Sequence, residues 1–151
     1  MAQKIPCTLT NMCMLEAPDG RVLVLDRLDP DWGGLTFPGG HVEENESFCD
    51  AMIREMQEET GLQIRHPRLV GIKSWVQKDG SRYIVLLYRA TEYDGELHSS
   101  AEGSVSWMTL DEMRAGRMVS GMEYMLQVFL DPNISEHWFE KHDGVWYDVL
   151  K

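Results

Sequence analysis

The chain has 151 residues, a mass of 17.4 kDa and a hydrophobic content of 43%, which suffices for the core of one domain spanning residues 1–151. Its 14 basic and 25 acidic residues leave a net charge of −11, which argues against binding to long nucleic acid, because neutralising phosphates needs a basic surface. A small anionic ligand is compatible with this charge if a metal cation screens it.

The sequence also bears on the location of the protein and on the state of its cysteines. No apolar run approaches the roughly 20 residues that cross a bilayer, and the start, MAQKIPC, lacks the apolar segment of a secretory signal. We therefore expect a cytoplasmic protein with no membrane partner. Cys7, Cys13 and Cys49 contain no Cys-x-x-Cys pair, so neither a disulfide framework nor a zinc site is predicted. We interpret them as small apolar residues or free thiols.

The first half of the chain predicts strands, a loop and a helix. Two apolar-rich segments around a Pro-Asp-Gly turn predict a β-hairpin over residues 8–28. A loop rich in glycine and proline follows, with a short strand at residues 35–37. A helix is predicted over residues 47–60, because Ser47 begins a capping box and Gly61 stands where a C-terminal glycine belongs.

The second half predicts more strands and two short helices. Three β-rich segments extend the sheet with mixed strand pairing; they cover residues 62–77, 81–93 and 103–110. The capping boxes "TLDE" and "SGME" each announce a short helix. The tail alternates around His-Asp-Gly and predicts a terminal hairpin at residues 135–150. The expected fold is α/β, with a mixed sheet between helices.

Acidic side chains are concentrated on the first predicted helix. Glu55, Glu58 and Glu59 are spaced i, i+3 and i+4, so they project from one face and repel each other. A divalent cation among the oxygens would turn this repulsion into attraction, and carboxylates favour Mg²⁺ or Mn²⁺. Arg54 reaches Glu58 at i+4, and Glu46 is placed to orient Arg54 or a ligand. The ordinary alternative is a solvated acidic face.

The spacing of the whole stretch favours the metal site. Residues 40–62 read "GHVEENESFCDAMIREMQEETGL", and a chance match to this pattern arises on the order of once in 10⁹ windows. This pattern of glycines, glutamates and one arginine is the signature of the Nudix hydrolases, which the chain therefore resembles. The signature covers 23 of 151 residues, and the predicted order of strands and helices around it is also similar to the Nudix α/β/α sandwich.

The resemblance implies hydrolysis of a nucleoside diphosphate linked to another moiety, with a role for each signature residue. It implies Mg²⁺ or Mn²⁺ as cofactor, charge neutralisation at the phosphates, a metal-activated water and a glutamate that takes its proton. Glu102, five residues before Trp107, matches a glutamate that relatives recruit from a later loop, although an exposed glutamate there is more often only solvated. The implied metal ligands are the Gly39 carbonyl, Glu55, Glu58, Glu59 and Glu102, and the supporting residues are Arg54 and Glu46.

Upstream residues are candidates for binding the substrate. By resemblance, Arg27 and Phe37 approach the nucleotide, and for Arg27 a solvated charge at a strand end is equally compatible. Asn11 lies in an apolar strand, where its amide either reads a base edge or makes a structural hydrogen bond. Trp107 and Trp32 are candidates for stacking on a base, although an aromatic residue on a strand more often belongs to the core.

Comparison with subfamily markers narrows the substrate. Gln77 and Lys78 stand where ADP-ribose hydrolases carry a proline, Tyr83 lies too far on for the marker of dinucleoside-polyphosphate hydrolases, and the coenzyme A pattern is missing. What remains resembles the bacterial 8-oxo-dGTP diphosphatases. One segment departs: "RMVSGME" lacks the two aspartates with which the animal enzymes for oxidised purines read the base. Base selection therefore works differently, or the preferred base is not 8-oxoguanine.

The leading hypothesis is a Mg²⁺-dependent enzyme that cleaves nucleoside triphosphates, oxidised purine nucleotides among them, to monophosphate and pyrophosphate. The alternatives are hydrolysis at the 5′ end of RNA or of another nucleoside diphosphate derivative, a non-catalytic nucleotide sensor, and isomerase chemistry. We expect a small nucleotide as the partner, and a monomer or homodimer. Aromatic residues of the tail cover the core or form a dimer seam: Trp138, Phe139, Trp146 and Tyr147.

Overall fold

The computed structural model describes residues 2–151. Ten strands and three helices follow one another along the chain: β1 (Cys7–Leu15), β2 (Val22–Arg27), β3 (Gly34–Thr36), α1 (Phe48–Thr60), β4 (Gln63–Arg65), β5 (Arg68–Val76), β6 (Arg82–Ala90), β7 (Glu92–Asp94), β8 (Gly103–Met108), α2 (Leu110–Ala115), α3 (Met122–Leu130), β9 (Glu136–His142) and β10 (Val145–Leu150). Within this part of the chain, no helix has the length and apolar character needed to span a membrane.

The largest sheet has five strands in the order β1-β6-β5-β9-β10. Strand β1 runs parallel to β6, whereas β5 pairs with β6 in antiparallel fashion around the Lys-Asp-Gly turn. Strand β9 is parallel to β5, and β10 folds back on β9 as a terminal hairpin. The sheet is therefore mixed, as the sequence predicted.

Two smaller sheets complete the strand layer. Strand β2 lies between β3 and β8 and is antiparallel to both, and β4 pairs with β7. Because successive side chains of a strand point to opposite faces, neighbouring residues of β2 serve different clusters: Val24 packs with the cluster that includes α3, and Leu23 with the cluster that includes α1. The strands therefore lie between helices, and the predicted α/β/α sandwich is confirmed.

The hairpin predicted over residues 8–28 is wrong in its pairing. Both strands exist, but β1 pairs with β6 and β2 with β3 and β8, and only a single bridge, Glu16 to Val22, joins the first two strands. The free edge of β1 is taken by the loop before α1, because Cys13 and Asn11 donate their backbone N–H groups to Pro38 and Gly40. This pairing brings the glycine loop against β1.

Local capping signals set two of the helix starts. The Ser47 hydroxyl accepts a hydrogen bond from the Asp50 N–H at the start of α1, and the helix ends at Gly61 with a φ of 79°. Thr109 caps α2 in the same way. The capping box predicted at "SGME" is wrong. The N-cap residue of α3 is Gly121, with a φ of 82°, and no side chain caps this helix. The backbone carbonyl of Ser120 accepts a hydrogen bond from the Trp32 indole.

Candidate active site

Helix α1 presents its carboxylates because its apolar side chains fix its rotation. Met52 and Met56 are fully buried against the sheet, which leaves Glu55 and Glu58 on the side that faces a cleft. The Glu55 carboxyl is largely buried, and this burial raises its pKa despite its contact with Arg54. Glu58 is more exposed, with 58% of its side chain accessible.

Arg54 holds the carboxylates in place. Its guanidinium donates to Glu46 at 2.7 and 3.1 Å, to Glu55 at 3.0 Å, to Glu58 at 3.3 Å and to the His41 carbonyl at 2.9 Å. The predicted contacts of Arg54 with Glu58 and Glu46 are therefore present. The hydrogen bond from Arg54 lowers the pKa of Glu46, and that same bond raises the pKa of Arg54 above its ordinary value.

Glu59 is the most deeply placed carboxylate of the helix. Only 5% of the residue is exposed, and its Oε2 accepts a hydrogen bond from the Gly39 N–H at 3.0 Å. Burial raises its pKa to about 7, because the hydrogen bond from Gly39 and the charge of Arg27 offset only part of the desolvation, while Glu55 and Glu102 add repulsion. A buried carboxylate with this environment is a natural site for a cation.

Two glycines let the loop approach the helix and β1 closely. A Cβ at Gly40 would collide with the Glu55 carboxylate, and a Cβ at Gly39 would collide with the backbone of Asn11. The Gly40 N–H donates to the Asn11 side-chain oxygen at 2.9 Å, so Asn11 makes the structural hydrogen bond that was one of its two interpretations. The Asn11 Nδ2 is buried without a hydrogen-bond partner among the described residues, which leaves it free for a ligand.

These residues line a cavity of about 710 Å³, a volume typical of small-molecule sites. Most candidates from the sequence are brought together there: the carboxylates Glu55, Glu58, Glu59 and Glu102, with Asn11, Arg27, Trp32, Phe37 and Gly39. Arg54 and Glu46 lie behind the carboxylates rather than at the cavity wall. The structure thus separates residues that can touch a ligand from residues that support them.

The upstream candidates have partners of their own. Arg27 pairs with Asp29 at 3.4 Å, lies 4.0 Å from Glu102 and stands 5.4 Å from the centre of the Trp32 ring. It is therefore a held cation at the cavity rather than a freely solvated one. Phe37 is 2% exposed and packs edge-on against Phe129, so it belongs to the core as well as to the cavity wall.

One candidate lies elsewhere, and several cavity residues were not foreseen. Trp107 packs beside Tyr93, with ring centres 5.3 Å apart, and lines a separate shallow hollow instead of this cavity. Sequence reasoning missed Lys73, Trp75, Tyr83 and Phe139, which line the far part of the cavity. The sequence did offer one signal for this region, because Lys73 is a charged residue inside the apolar run "LVGIKSWV".

Comparison with known proteins decides the family. Residues 8–129 match the family model of the NUDIX domain. The chain belongs to the Nudix family. It is 32% identical over 123 residues to the Nudix hydrolase YvcI of Bacillus subtilis, an alignment that covers 78% of this chain and 76% of YvcI. It is therefore a hydrolase that cleaves phosphoanhydride bonds.

Two further similarities concern name and fold. An 8-oxo-dGTP diphosphatase of Buchnera aphidicola is 32% identical over 78 residues, which cover 52% of this chain and 58% of that protein. The crystal structure of a mutator MutT protein from Bacillus halodurans superimposes with a TM-score of 0.77 at 28% identity, covering 95% of this chain and 97% of that one. The expected resemblance to bacterial 8-oxo-dGTP diphosphatases is confirmed at the level of the family.

Nudix hydrolases generally use divalent metal ions, and the donor set of this chain fits one. Within residues 2–151, no three His, Cys, Asp or Glu side chains lie close enough together to hold a metal ion. Glu55 and Glu58 accept hydrogen bonds from Arg54, whereas Glu59 accepts one from the Gly39 N–H. The chemistry nevertheless fits, because hard carboxylate oxygens line one cavity. Burial raises the pKa of the buried Glu59 and of the partly buried Glu55, and a bound cation would lower both pKa values.

Because Glu59 is buried, we expect the stability of the metal-free protein to depend on pH. Its pKa is about 7 in the folded state against 4.5 for the ordinary side chain, so folding favours the protonated form and stability is lost as pH rises through this window. Glu59→Gln, which carries no charge, is expected to raise the free energy of unfolding at pH 8 by up to about 3 kcal/mol. At pH 4 the gain should vanish.

Urea denaturation in EDTA at the two pH values measures this difference. Glu44→Gln is the matched control, because Glu44 is an exposed glutamate of the loop that precedes α1 and should show no such change. Equal stabilities of Glu59→Gln and the parent protein at pH 8 would mean that the Glu59 carboxylate is not desolvated as described.

Proposed function

We propose that the chain is a Mg²⁺-dependent pyrophosphohydrolase of the cytoplasm. It cleaves nucleoside and deoxynucleoside triphosphates, with oxidised purine nucleotides such as 8-oxo-dGTP as the foremost candidates, to monophosphate and pyrophosphate. One observation carries the proposal. A single cavity of about 710 Å³ joins the carboxylates of α1 to aromatic and amide side chains, so the phosphate chain and the base of one nucleotide can be bound together.

The similarities support the substrate class. The Buchnera protein is an 8-oxo-dGTP diphosphatase by name, and the shared segment is modest in length. The net charge of −11 supports a small substrate over a long nucleic acid, because the phosphates of a polymer would meet a surface of the same sign. The chain also keeps Glu55, Glu58 and Glu59, which supports catalysis over a role as a nucleotide sensor.

Each group at the site has a distinct task in the proposed reaction. Glu55, Glu58 and Glu59, with the Gly39 carbonyl and Glu102, would hold Mg²⁺, which supplies charge neutralisation at the phosphates and lowers the pKa of a water. Arg54, fixed by Glu46, keeps the Glu55 and Glu58 carboxylates oriented. Arg27 lies where a cation can bind phosphate oxygens.

The proposed hydrolysis moves one proton and releases one phosphate group. Water adds to a phosphorus of the anhydride, its proton passes to one of the three glutamates of α1, and the bridging oxygen leaves with the departing phosphate group. When the anhydride bond between the α and β phosphates is cleaved, the products are a nucleoside monophosphate and pyrophosphate. Polar and aromatic side chains line the same cavity, which favours a fixed orientation of the substrate.

A substrate panel tests the proposal. The protein is incubated with Mg²⁺ and 8-oxo-dGTP, dGTP, ADP-ribose or a triphosphorylated RNA, and release of pyrophosphate and phosphate is measured. We expect pyrophosphate release to be fastest with 8-oxo-dGTP and to stop when EDTA is added. Preference for ADP-ribose or RNA would reassign the substrate, and nucleotide binding without turnover would mean a sensor.

A further inference from the structure

Lys73 occupies an unusual position in the far part of the cavity. It lies on β5 with its side chain on the cavity face of the main sheet, and only 7% of the residue is exposed. Its ammonium stands 5.5 Å from the centre of the Trp75 ring and 5.6 Å from that of Phe139. Within residues 2–151 no hydrogen bond or ion pair involves this ammonium, so a largely buried lysine reaches the cavity without a protein acceptor.

The terminal hairpin holds this lysine from the side opposite to β6. His137 lies beside Lys73 in the pairing of β9 with β5, is fully buried and is bonded to Asp148 through its Nε2 at 2.6 Å. Burial lowers the pKa of Lys73, and the charge of Asp148 opposes that change. The carboxylate of Asp148 therefore helps to keep the ammonium charged, although its hydrogen bond is with His137 and not with Lys73.

The side-chain amide of Asn11 is a second donor without a protein acceptor at the same cavity. The Asn11 Nδ2 is buried without a partner, as described above, because the Asn11 oxygen is engaged by Gly40. Two unused donors thus line a cavity whose walls include the stacked pair of Trp75 and Tyr83, with ring centres 4.3 Å apart. A ligand that satisfies this region has a flat ring and carries acceptor atoms.

We propose that Lys73, enclosed by the terminal hairpin, selects nucleobases that carry a ring carbonyl oxygen, by donating a hydrogen bond from its ammonium to that oxygen. The inference rests on the proposed function, because it assigns the base end of the same substrate. A base with an oxygen at this position satisfies the lysine, whereas a base lacking it leaves a buried ammonium without an acceptor.

A phosphate is the competing occupant, and the surroundings disfavour it. A phosphate group has several charged oxygens and is usually bound by a cluster of arginines, lysines or backbone N–H groups. Here one ammonium lies between the faces of Trp75 and Phe139, and apolar Val85 and Met125 also line the cavity. The wall suits the face of a heterocycle better than a doubly charged group.

The hairpin is the part of the subsite that the family model does not include. The match to the NUDIX domain ends at residue 129, whereas Phe139, His137 and Asp148 lie beyond it on β9 and β10. Selection of the base is thus divided between a strand of the shared domain, which carries Lys73, and a segment added to its edge. His137 and Asp148 act as positioning residues through Lys73.

Equilibrium binding of nucleoside monophosphates in EDTA tests the inference without turnover. The probes are dGMP and the deoxynucleotide of 2-aminopurine, which lacks the 6-oxygen. The parent protein should bind dGMP more tightly than the 2-aminopurine nucleotide. Lys73→Met should lower the affinity for dGMP by about tenfold or more and change the affinity for the 2-aminopurine nucleotide by less than about twofold. Asp148→Asn should lose part of the same selectivity, and Lys73→Arg should keep most of it.

Lys78→Met is the matched control, because Lys78 is an exposed lysine on the turn after β5. Equal weakening of both nucleotides and of pyrophosphate by Lys73→Met would place the lysine on a phosphate and overturn the inference. No effect of Lys73→Met would overturn it as well. If that variant does not fold, the parent protein decides, because equal affinity for the two nucleotides contradicts selection by a carbonyl oxygen.

A parallel turnover assay separates this inference from the proposed function. Hydrolysis of triphosphates without preference between dGTP and the 2-aminopurine analogue would keep the proposed function and overturn the role of Lys73. Absence of turnover with every triphosphate would overturn the proposed function, and the binding comparison would still decide what Lys73 recognises.

Discussion

Glu58→Gln is expected to lower kcat by roughly a hundredfold to a thousandfold while leaving the fold intact. Glu58 lies on the cavity face of α1, and its loss removes a carboxylate charge from the proposed cation site. Stability should hardly change, because 58% of the side chain is exposed and its bond to Arg54 is 3.3 Å long. Pyrophosphate release per folded protein, with circular dichroism and urea denaturation alongside, measures both quantities.

Glu44→Gln is again the control, since it removes the same charge from an exposed position in the preceding loop. It should retain nearly full turnover. If Glu58→Gln unfolds the protein but leaves the specific activity of the folded fraction unchanged, the acidic cluster is structural and the proposed catalytic site is wrong.

Arg54→Met is expected to reduce both activity and stability. The substitution removes the bonds to Glu46, Glu55 and Glu58 and leaves the partly buried Glu55 without its cation. We expect the free energy of unfolding to fall by about 2 kcal/mol, which is less than the cost of breaking a fully buried pair, because 23% of the arginine side chain is exposed. Turnover should fall by about tenfold to a hundredfold, as for residues that orient ligands of a metal.

A double variant tests whether Arg54 acts through its carboxylate partners. Glu46→Gln removes the residue that holds Arg54 most closely, so Glu46→Gln combined with Arg54→Met should cost less stability than the two single changes added together. Urea denaturation of the four proteins completes the cycle. Strictly additive costs would show that the contact between the two side chains contributes nothing.

The parts of the fold that sequence predicted well are those encoded locally. Helix α1 depends on Ser47, on the spacing of its methionines and on Gly61, all within one short segment. The strands also follow from local alternation. Their partners do not, because the edge of β1 that would complete the first hairpin is occupied by backbone of the loop at Pro38 and Gly40.

The site divides in the same way. The carboxylates, Arg54 and the glycines belong to one continuous motif, so a single stretch of sequence names them and even gives the contact between Arg54 and Glu58. The proposed base end of the cavity is assembled from β1, β5, β6 and β9, which meet only through the pairing of distant strands. That pairing places Lys73 and Phe139 at the cavity, and strand pairing likewise places Trp107 at a different hollow.

The placement of the terminal hairpin also orders events during synthesis. Strand β1 must wait for β6, since Cys7 lies opposite Arg82, and the sheet that carries Lys73 can form once β6 has emerged. The chain grows from its N-terminus at about 5–20 residues per second, so the carboxylate helix and the central strands precede β9 and β10 by several seconds. A nascent chain therefore has a complete cluster of glutamates before it has the complete wall of the proposed base subsite, so any selectivity for the base would be the last property that it acquires.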